Sequence, residues 1–529
     1  MSPAARTPAA SATYDYVVVG GGHNGLSAAC TLAEAGSSVV VLERRPIVGG
    51  LSASHAYLPE APEHVLSLGA MDDMFMSCTS IIDDLDLRAH GLRTSPVEAP
   101  YGWLGPEGET LLLFSDLGRT LDEVRRFSPA DARAYAELQP ALAWIFDALR
   151  TVMPRQLSDL PKGEIGKLLL RLAPSKAVRR RLGQIMSSNL VDLMADVFES
   201  DQMRSLATYW GSMIGPIDAD GGGFYCVGLA AVHQAPGVQR PRGGMGTIMG
   251  ALASKARSHG ADVRVDADVV NVVVSGNRAT GVRLADGTAI SARRGVLAAV
   301  APQLMYGGLL EEGVVDSATR AKVATMPASG NNMATFKIDL ALSGRARFAK
   351  ADRPDGFDVR RTSLMTGTFD EQLQQLALVR RGESLPSPPV YMAVLSASDD
   401  SLAPPGQEVV YLASNVPAQP AGGWDLAKPA LSKAVMSSVT QHLDGLETEI
   451  GRVETSPGDL MELWNVPNGS YFHVDMTPLR LLGNRPAPGL GGYAGPIEGY
   501  LHAGAGSHPG GGVSGWPGRL AAQTALRGR

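Results

Sequence analysis

Cysteine is scarce in this chain of 529 residues: Cys30, Cys78 and Cys226 stand far apart, with no CxxC spacing. Such placement excludes a disulfide framework and predicts three packed thiols in a reducing cytosol. The ten histidines contain no H-x-x-x-H pair and join no Cys/His cluster, so no metal site is expected. Basic charge is not in excess either. A formal net charge of −6 gives no footing for nucleic-acid binding, which needs a concentrated basic surface. No apolar run is long enough to span a bilayer. The opening "MSPAARTPAASAT" lacks the apolar centre of a signal peptide, so residues 1–13 read as a disordered lead-in and the protein as cytoplasmic.

What the chain does have is a complete unit between Tyr14 and Gly50. Tyr16 to Val19 is a β-branched run suited to a buried parallel strand. Gly20, Gly22 and Gly25 then spell G-x-G-x-x-G, and Leu26 to Ala35 continue as a small-residue helix stopped by Gly36. In that context the first glycine allows the turn, the second lets backbone approach a pyrophosphate, and the third lets helix and strand pack closely. The helix N-terminus offers free N–H groups to the phosphates, and His23 and Asn24 at the turn are expected to contribute backbone contacts there. A second apolar strand, Ser38 to Leu42, ends in Glu43, where a carboxylate accepts from ribose hydroxyls and repels a 2′-phosphate. Arg44, Arg45 and the Gly49-Gly50 pair follow, and with them the stretch resembles the glutathione-reductase-like FAD proteins.

Further along, Thr120 to Gln202 carry mostly helical periodicity, within a stretch 91–234 expected to form a helical insertion. Its basic amphipathic segment, Lys162 to Leu182, reads as a solvated helix surface, with peripheral contact to an anionic membrane as the alternative. Strands with turns at Ser275-Gly276 and Asp286-Gly287 return after a glycine turn near Gly243, and residues 311–454 predict a separate sheet backed by helices. From Gly499 a glycine-crowded strand-to-helix unit closes the chain. The expected architecture is α/β: a discontinuous Rossmann nucleotide domain from 14–90, 235–310 and 455–529, and a substrate domain of mixed sheet plus helical insertion.

These blocks, with "LDLRAHGL" at Leu85, "GGMGTIMGALA" at Gly243, "YFHVDMT" at Tyr471 and "GAGSHPGGGV" at Gly504, resemble the phytoene-desaturase-related FAD-dependent oxidoreductases. Within them the resemblance is to the pyridine nucleotide-disulfide oxidoreductase domain-containing branch, and it covers nearly the whole chain after Ala12. The resemblance implies bound FAD and a fold similar to the amine oxidases. By position it assigns Gly20, Gly22, Gly25 and Glu43 to the adenosine diphosphate, Arg44, Gly49, Gly50 and Leu51 to its flank, and Val269 to the adenine edge. Gly506, Ser507, Gly512 and Val513 would lie by the flavin. The tail has no cysteine, so a cysteinyl-flavin bond cannot form there.

A flavin beside an apolar cavity favours hydride removal from carbon. Desaturation also needs a proton acceptor, for which His508, His233 and Tyr225 are the candidates. The expected reaction is double-bond formation in a largely apolar small molecule, with oxygen or a quinone as electron acceptor. Two other readings remain open at this point: a flavin-dependent isomerase without net oxidation, and a non-redox binding protein similar to the GDP-dissociation inhibitors. Oligomeric state leaves no trace in the sequence.

Overall fold

Residues 12–156 and 175–528, which a computed structural model describes, fold around two seven-stranded sheets. The first runs in the order Val269–Ser275, Arg278–Leu284, Ala289–Ala298, β1 (Ala12–Val19), β2 (Val39–Leu42) and Asp262–Arg264, with Tyr500–His502 also paired to Ala289–Ala298. Its centre is parallel: β1 lies between β2 and Ala289–Ala298, and Val17, Val18, Val40 and Val41 are fully buried. Strands covered on both faces take such continuous β-branched runs. The turns at Gly276 and Gly287 join an antiparallel meander, as their sequences predict.

Between β1 and β2 runs α1 (His23–Glu34), which packs against the helices Gly246–Ser258 and Trp516–Arg527. The last of these comes very close: a Cβ on Gly518 would stand 1.7 Å from the Asn24 carbonyl oxygen. Only a glycine there lets the two backbones meet.

The second sheet follows the order Glu449–Thr455, Met333–Leu342, Glu408–Pro417, Val390–Val394, Ser363–Met365, Tyr101–Leu104 and Thr110–Leu113. Period-two alternation divides its side chains. Val390, Met392 and Val394 join a core with Leu431, Val435 and Val439 of the helix Trp424–Val439. Tyr391 and Ala393 join the opposite core, with Trp210 and other residues of the helical region.

Several boundaries differ from the sequence expectation. Ala12 and Thr13 already pair with Ile290 and Ser291, so the expected lead-in is too long by two residues, and residues 1–11 lie outside the described set. The helix α1 starts at His23, because Gly22 serves as its N-cap and the third glycine sits inside its first turn. The stretch 91–234 is not wholly helical. Two four-residue strands, Tyr101–Leu104 and Thr110–Leu113, turn at Gly105 to Gly108 and form an edge of the second sheet. Residues 455 to 464 also belong with that sheet, since Thr455 ends a strand of it and the helix Pro457–Trp464 packs on it. Of the basic segment, residues 162–174 fall outside the described set. The helix Lys176–Ser187 that follows buries Ile185, and its Arg181 pairs with Glu137 at 3.3 Å. Among the described residues no helix is long and apolar enough to cross a membrane, and no group of three His, Cys, Asp or Glu side chains could hold a metal.

Candidate active site: a cavity from the glycine loop to the second sheet

A cavity of about 410 Å³ begins at the carboxyl ends of β1 and β2 and continues to the inner face of the second sheet. Its volume falls in the ~300–1,000 Å³ range of small-molecule and cofactor sites. Gly20, Gly22, His23, Asn24, Glu43, Arg44, Gly49, Gly50, Leu51, Val269, Gly512 and Val513 all line it. Gly25, Gly506 and Ser507 do not. A Cβ on Gly25 would sit 1.9 Å from the Gly20 carbonyl oxygen, which is the close packing expected of the third glycine. Gly506 is pressed against His502 and Pro302 behind the wall, and the Ser507 hydroxyl donates to the Gly504 carbonyl at 2.9 Å.

The chain presents a fitting cradle for FAD. A Cβ on Gly22 would meet nothing within 4 Å, so that position opens onto the cavity. The N-cap of α1 has no side-chain cap and its first turn no acidic residue, which leaves its N–H groups for phosphate oxygens. His23 Nε2 and Asn24 Oδ1 are buried there without a partner. Burial lowers the His23 imidazole to about 4 and that of His473, which faces the same cavity, to about 3. Glu43 accepts the backbone N–H groups of Gly21 at 2.8 Å and Arg45 at 2.9 Å, and burial raises its pKa. Each carboxylate oxygen keeps a further lone pair for a ribose hydroxyl. Arg45 stacks over the Trp464 ring, 4.7 Å from its centroid, and Trp464 also lines the cavity, so the two clasp its nucleotide end.

Toward the second sheet the walls turn aromatic and aliphatic: Met71, Phe75, Trp210, Met213, Ile214 and Phe472. The inner-face strand Met333–Leu342 brings Lys337 and Asp339, two residues apart and therefore on one face, into this apolar setting. Their side chains are only 5% and 2% exposed and form an ion pair. Lys337 lines the cavity, its Nζ 4.2 Å from the centroid of the Tyr411 ring. Burial pushes the ammonium pKa down and the Asp339 carboxyl up to about 6, so the preference of the proton for Lys337 is smaller than in water. Sequence reading passed over this pair. Its signal is a lysine and an aspartate spaced by two inside the apolar strand "MATFKIDLAL".

None of the three expected proton acceptors reaches the cavity. His508 is buried with Nε2 3.3 Å from the Val152 carbonyl oxygen, and burial lowers its imidazole to about 4. His233 lies 2.9 Å from the Tyr135 hydroxyl, against a helix of the insertion. The Tyr225 hydroxyl donates to the Met476 carbonyl at 3.3 Å, and burial raises its pKa. All three pack the domain behind the site.

A Rossmann sheet with an open glycine turn, a buried acid at the end of its second strand and a cavity shared with a second sheet is the arrangement of an FAD-dependent oxidoreductase. The chain belongs to the flavin-containing amine oxidoreductase family, whose pattern matches residues 173–511, after an NAD(P)-binding Rossmann-like domain at 18–71. It is 29% identical over 559 residues to the mouse pyridine nucleotide-disulfide oxidoreductase domain-containing protein 2, covering 97% of this chain and 93% of that one. It is 31% identical over 315 residues to the hydroxyneurosporene desaturase of Cereibacter sphaeroides, spanning 58% of this chain and 60% of the desaturase. A limonene dehydrogenase polypeptide of Castellaniella defragrans is 24% identical over 542 residues, 96% of this chain and 94% of that polypeptide. A putrescine oxidase variant shares the fold with a TM-score of 0.59 at 16% identity, over 98% of this chain and all of the oxidase. The protein is thus a flavoenzyme acting on a small organic substrate, and the non-redox reading is set aside.

Proposed function

We propose that the protein is an FAD-dependent dehydrogenase of the desaturase type, taking a hydride and a proton from adjacent carbons of a largely apolar molecule to leave a double bond. The observation that carries this reading is the continuity of the cavity from Glu43 and the glycine turn to walls of Met71, Phe75, Trp210 and Ile214. FAD, when bound, supplies the two-electron hydride acceptor. The apolar walls hold the substrate by area and exclude water from the reacting carbons. Lys337 is the group placed to take the departing proton at Nζ as its ammonium hands one of its own protons to Asp339, a transfer favoured by burial, which lowers the Lys337 pKa and raises that of Asp339. The substrate proton is thus carried on the pair, with Asp339 left as the neutral acid. The two electrons pass on to oxygen or a quinone. Relatives named for hydroxyneurosporene and limonene support an isoprenoid-like substrate. A cytoplasmic location, with peripheral membrane contact as the alternative, is part of the same proposal and is supported by the three cysteines standing as free buried thiols.

The test is anaerobic incubation of the holoenzyme with limonene and, separately, with a detergent-dispersed carotenoid. Bleaching of the visible flavin band, reversed by air, with a product two hydrogens lighter is expected. A product of unchanged mass without bleaching would show isomerisation instead and overturn the proposal.

A further inference from the structure

A second buried ion pair stands among the second-sheet walls of the cavity, apart from Lys337. Arg240 Nε donates to Asp72 Oδ1 at 2.9 Å, and the two side chains are 6% and 7% exposed. Backbone pairing holds them side by side: Asp73 and Gln239, their chain neighbours, exchange N–H to carbonyl bonds of 2.8 and 2.9 Å. Asp73 spends its own carboxylate on the N–H groups of Met76 and Ser77, so it is a structural turn. Asp72 is different. It lines the cavity, its Oδ2 makes no hydrogen bond of good geometry, with only a loose approach of the Tyr101 hydroxyl to the carboxylate, and Nη2 of Arg240 behind it has no partner. Polar atoms left so in an apolar wall are costly unless a ligand uses them.

The chemistry of the pair narrows the ligand. The guanidinium offsets the carboxylate charge, which weakens any pull on an ammonium group, while Oδ2 remains an acceptor. Tyr101 and Tyr391 stand beside it in the cavity wall, and burial first, then the Asp72 charge, keeps both hydroxyls protonated. No second negative charge forms there. We propose that Asp72, backed by Arg240, binds a hydroxyl group on the otherwise apolar substrate, so that the enzyme selects an alcohol over the matching molecule without an O–H donor. This rests on the apolar-substrate reading above.

The test titrates the holoenzyme anaerobically with octanol and with its isomer heptyl methyl ether, which has the same atoms but no donor, and with octylamine and octanoate. Perturbation of the flavin spectrum and quenching of tryptophan fluorescence, to which Trp210 in the wall contributes, report binding. Octanol is expected to bind about 10-fold or more tightly than the ether, as for a hydrogen bond to a charged group. In Asp72→Leu/Arg240→Met, which removes both charges together, the two isomers should bind alike while the flavin is retained. Equal binding of the isomers to the wild-type protein, or tightest binding of octylamine or octanoate, would overturn the hydroxyl site. Failure of all four probes to perturb either signal would instead overturn the apolar-cavity reading beneath it. The wild-type comparison decides the question even if the double variant does not fold.

Discussion

Replacing Lys337 by methionine separates the electrostatics of its pair from its bulk. Methionine fills similar space, but Asp339 is left buried without a cation, its Oδ1 already lacking a partner. Removing one member of a buried pair costs about 3–5 kcal/mol. The cost depends on pH in a defined direction. Asp339 titrates at about 6 beside Lys337, and loss of the ammonium moves it higher still. A carboxyl whose folded pKa lies above its unfolded value holds a proton that the unfolded chain has released, so stability falls as pH rises toward the folded pKa. In the wild type that fall is complete near pH 6. In Lys337→Met it continues past pH 6, at up to about 1.4 kcal/mol per pH unit, so the gap to the wild type widens as pH rises from about 6 toward 8. Urea unfolding of the FAD-saturated proteins across that range reads the gap. Replacing both partners, as Lys337→Met/Asp339→Leu, should recover most of the stability and abolish the slope, without restoring substrate-driven flavin reduction. A gap that stays constant with pH, or a double variant no more stable than the single one, would refute the pairing argument.

Gly25→Ala should prevent the turn from closing, because its Cβ would fall 1.9 Å from the Gly20 carbonyl oxygen; purified protein is expected to be colourless, with the ratio of flavin to protein absorbance as the measure. Trp464→Ala removes the ring under Arg45 and should speed FAD release by about 2- to 30-fold, the range of ~0.5–2 kcal/mol for such contacts, followed by the rise of free-flavin fluorescence on dilution. His508→Gln keeps a donor toward the Val152 carbonyl and should leave the rate of flavin reduction and its pH profile within about 3-fold of wild type, a difference below ~1 kcal/mol; loss of an ionisation from the profile would return His508 to the reacting groups.

The nucleotide half of the site was legible because its determinants are local. Gly20, Gly22, Gly25 and Glu43 lie in one strand-turn-helix-strand unit whose spacing is set by backbone geometry, and the structure keeps all of it at one cavity end or just behind it. The second-sheet half of the cavity was not. Lys337 and Asp339 sit in a strand where a charged residue normally marks the solvent face, and only the pairing of Met333–Leu342 between two other strands shows that face to be buried. Asp72 and Arg240 are 168 residues apart and meet through a bridge no periodicity announces. The glycine-rich tail drew attention to His508 and the segment "AAVHQAPG" to His233, yet Nε2 of His508 faces the Val152 carbonyl and Nε2 of His233 the Tyr135 hydroxyl, away from the cavity. Strands of four residues, such as Tyr101–Leu104, are too short to display alternation, so they vanished into a helical stretch.

The seating of Gly518 against Asn24 sets an order of events during synthesis. The helix that flanks α1 and the strand that extends the first sheet beside Ala289–Ala298 are both contributed by the last thirty or so residues, Tyr500 to Arg527. The glycine fingerprint leaves the ribosome well ahead of the helix Trp516–Arg527, and the cofactor cradle it belongs to closes only when that helix, some 500 residues later, docks. A chain without Trp516–Arg527 therefore keeps the glycine fingerprint and Glu43 intact and has no finished site to use them.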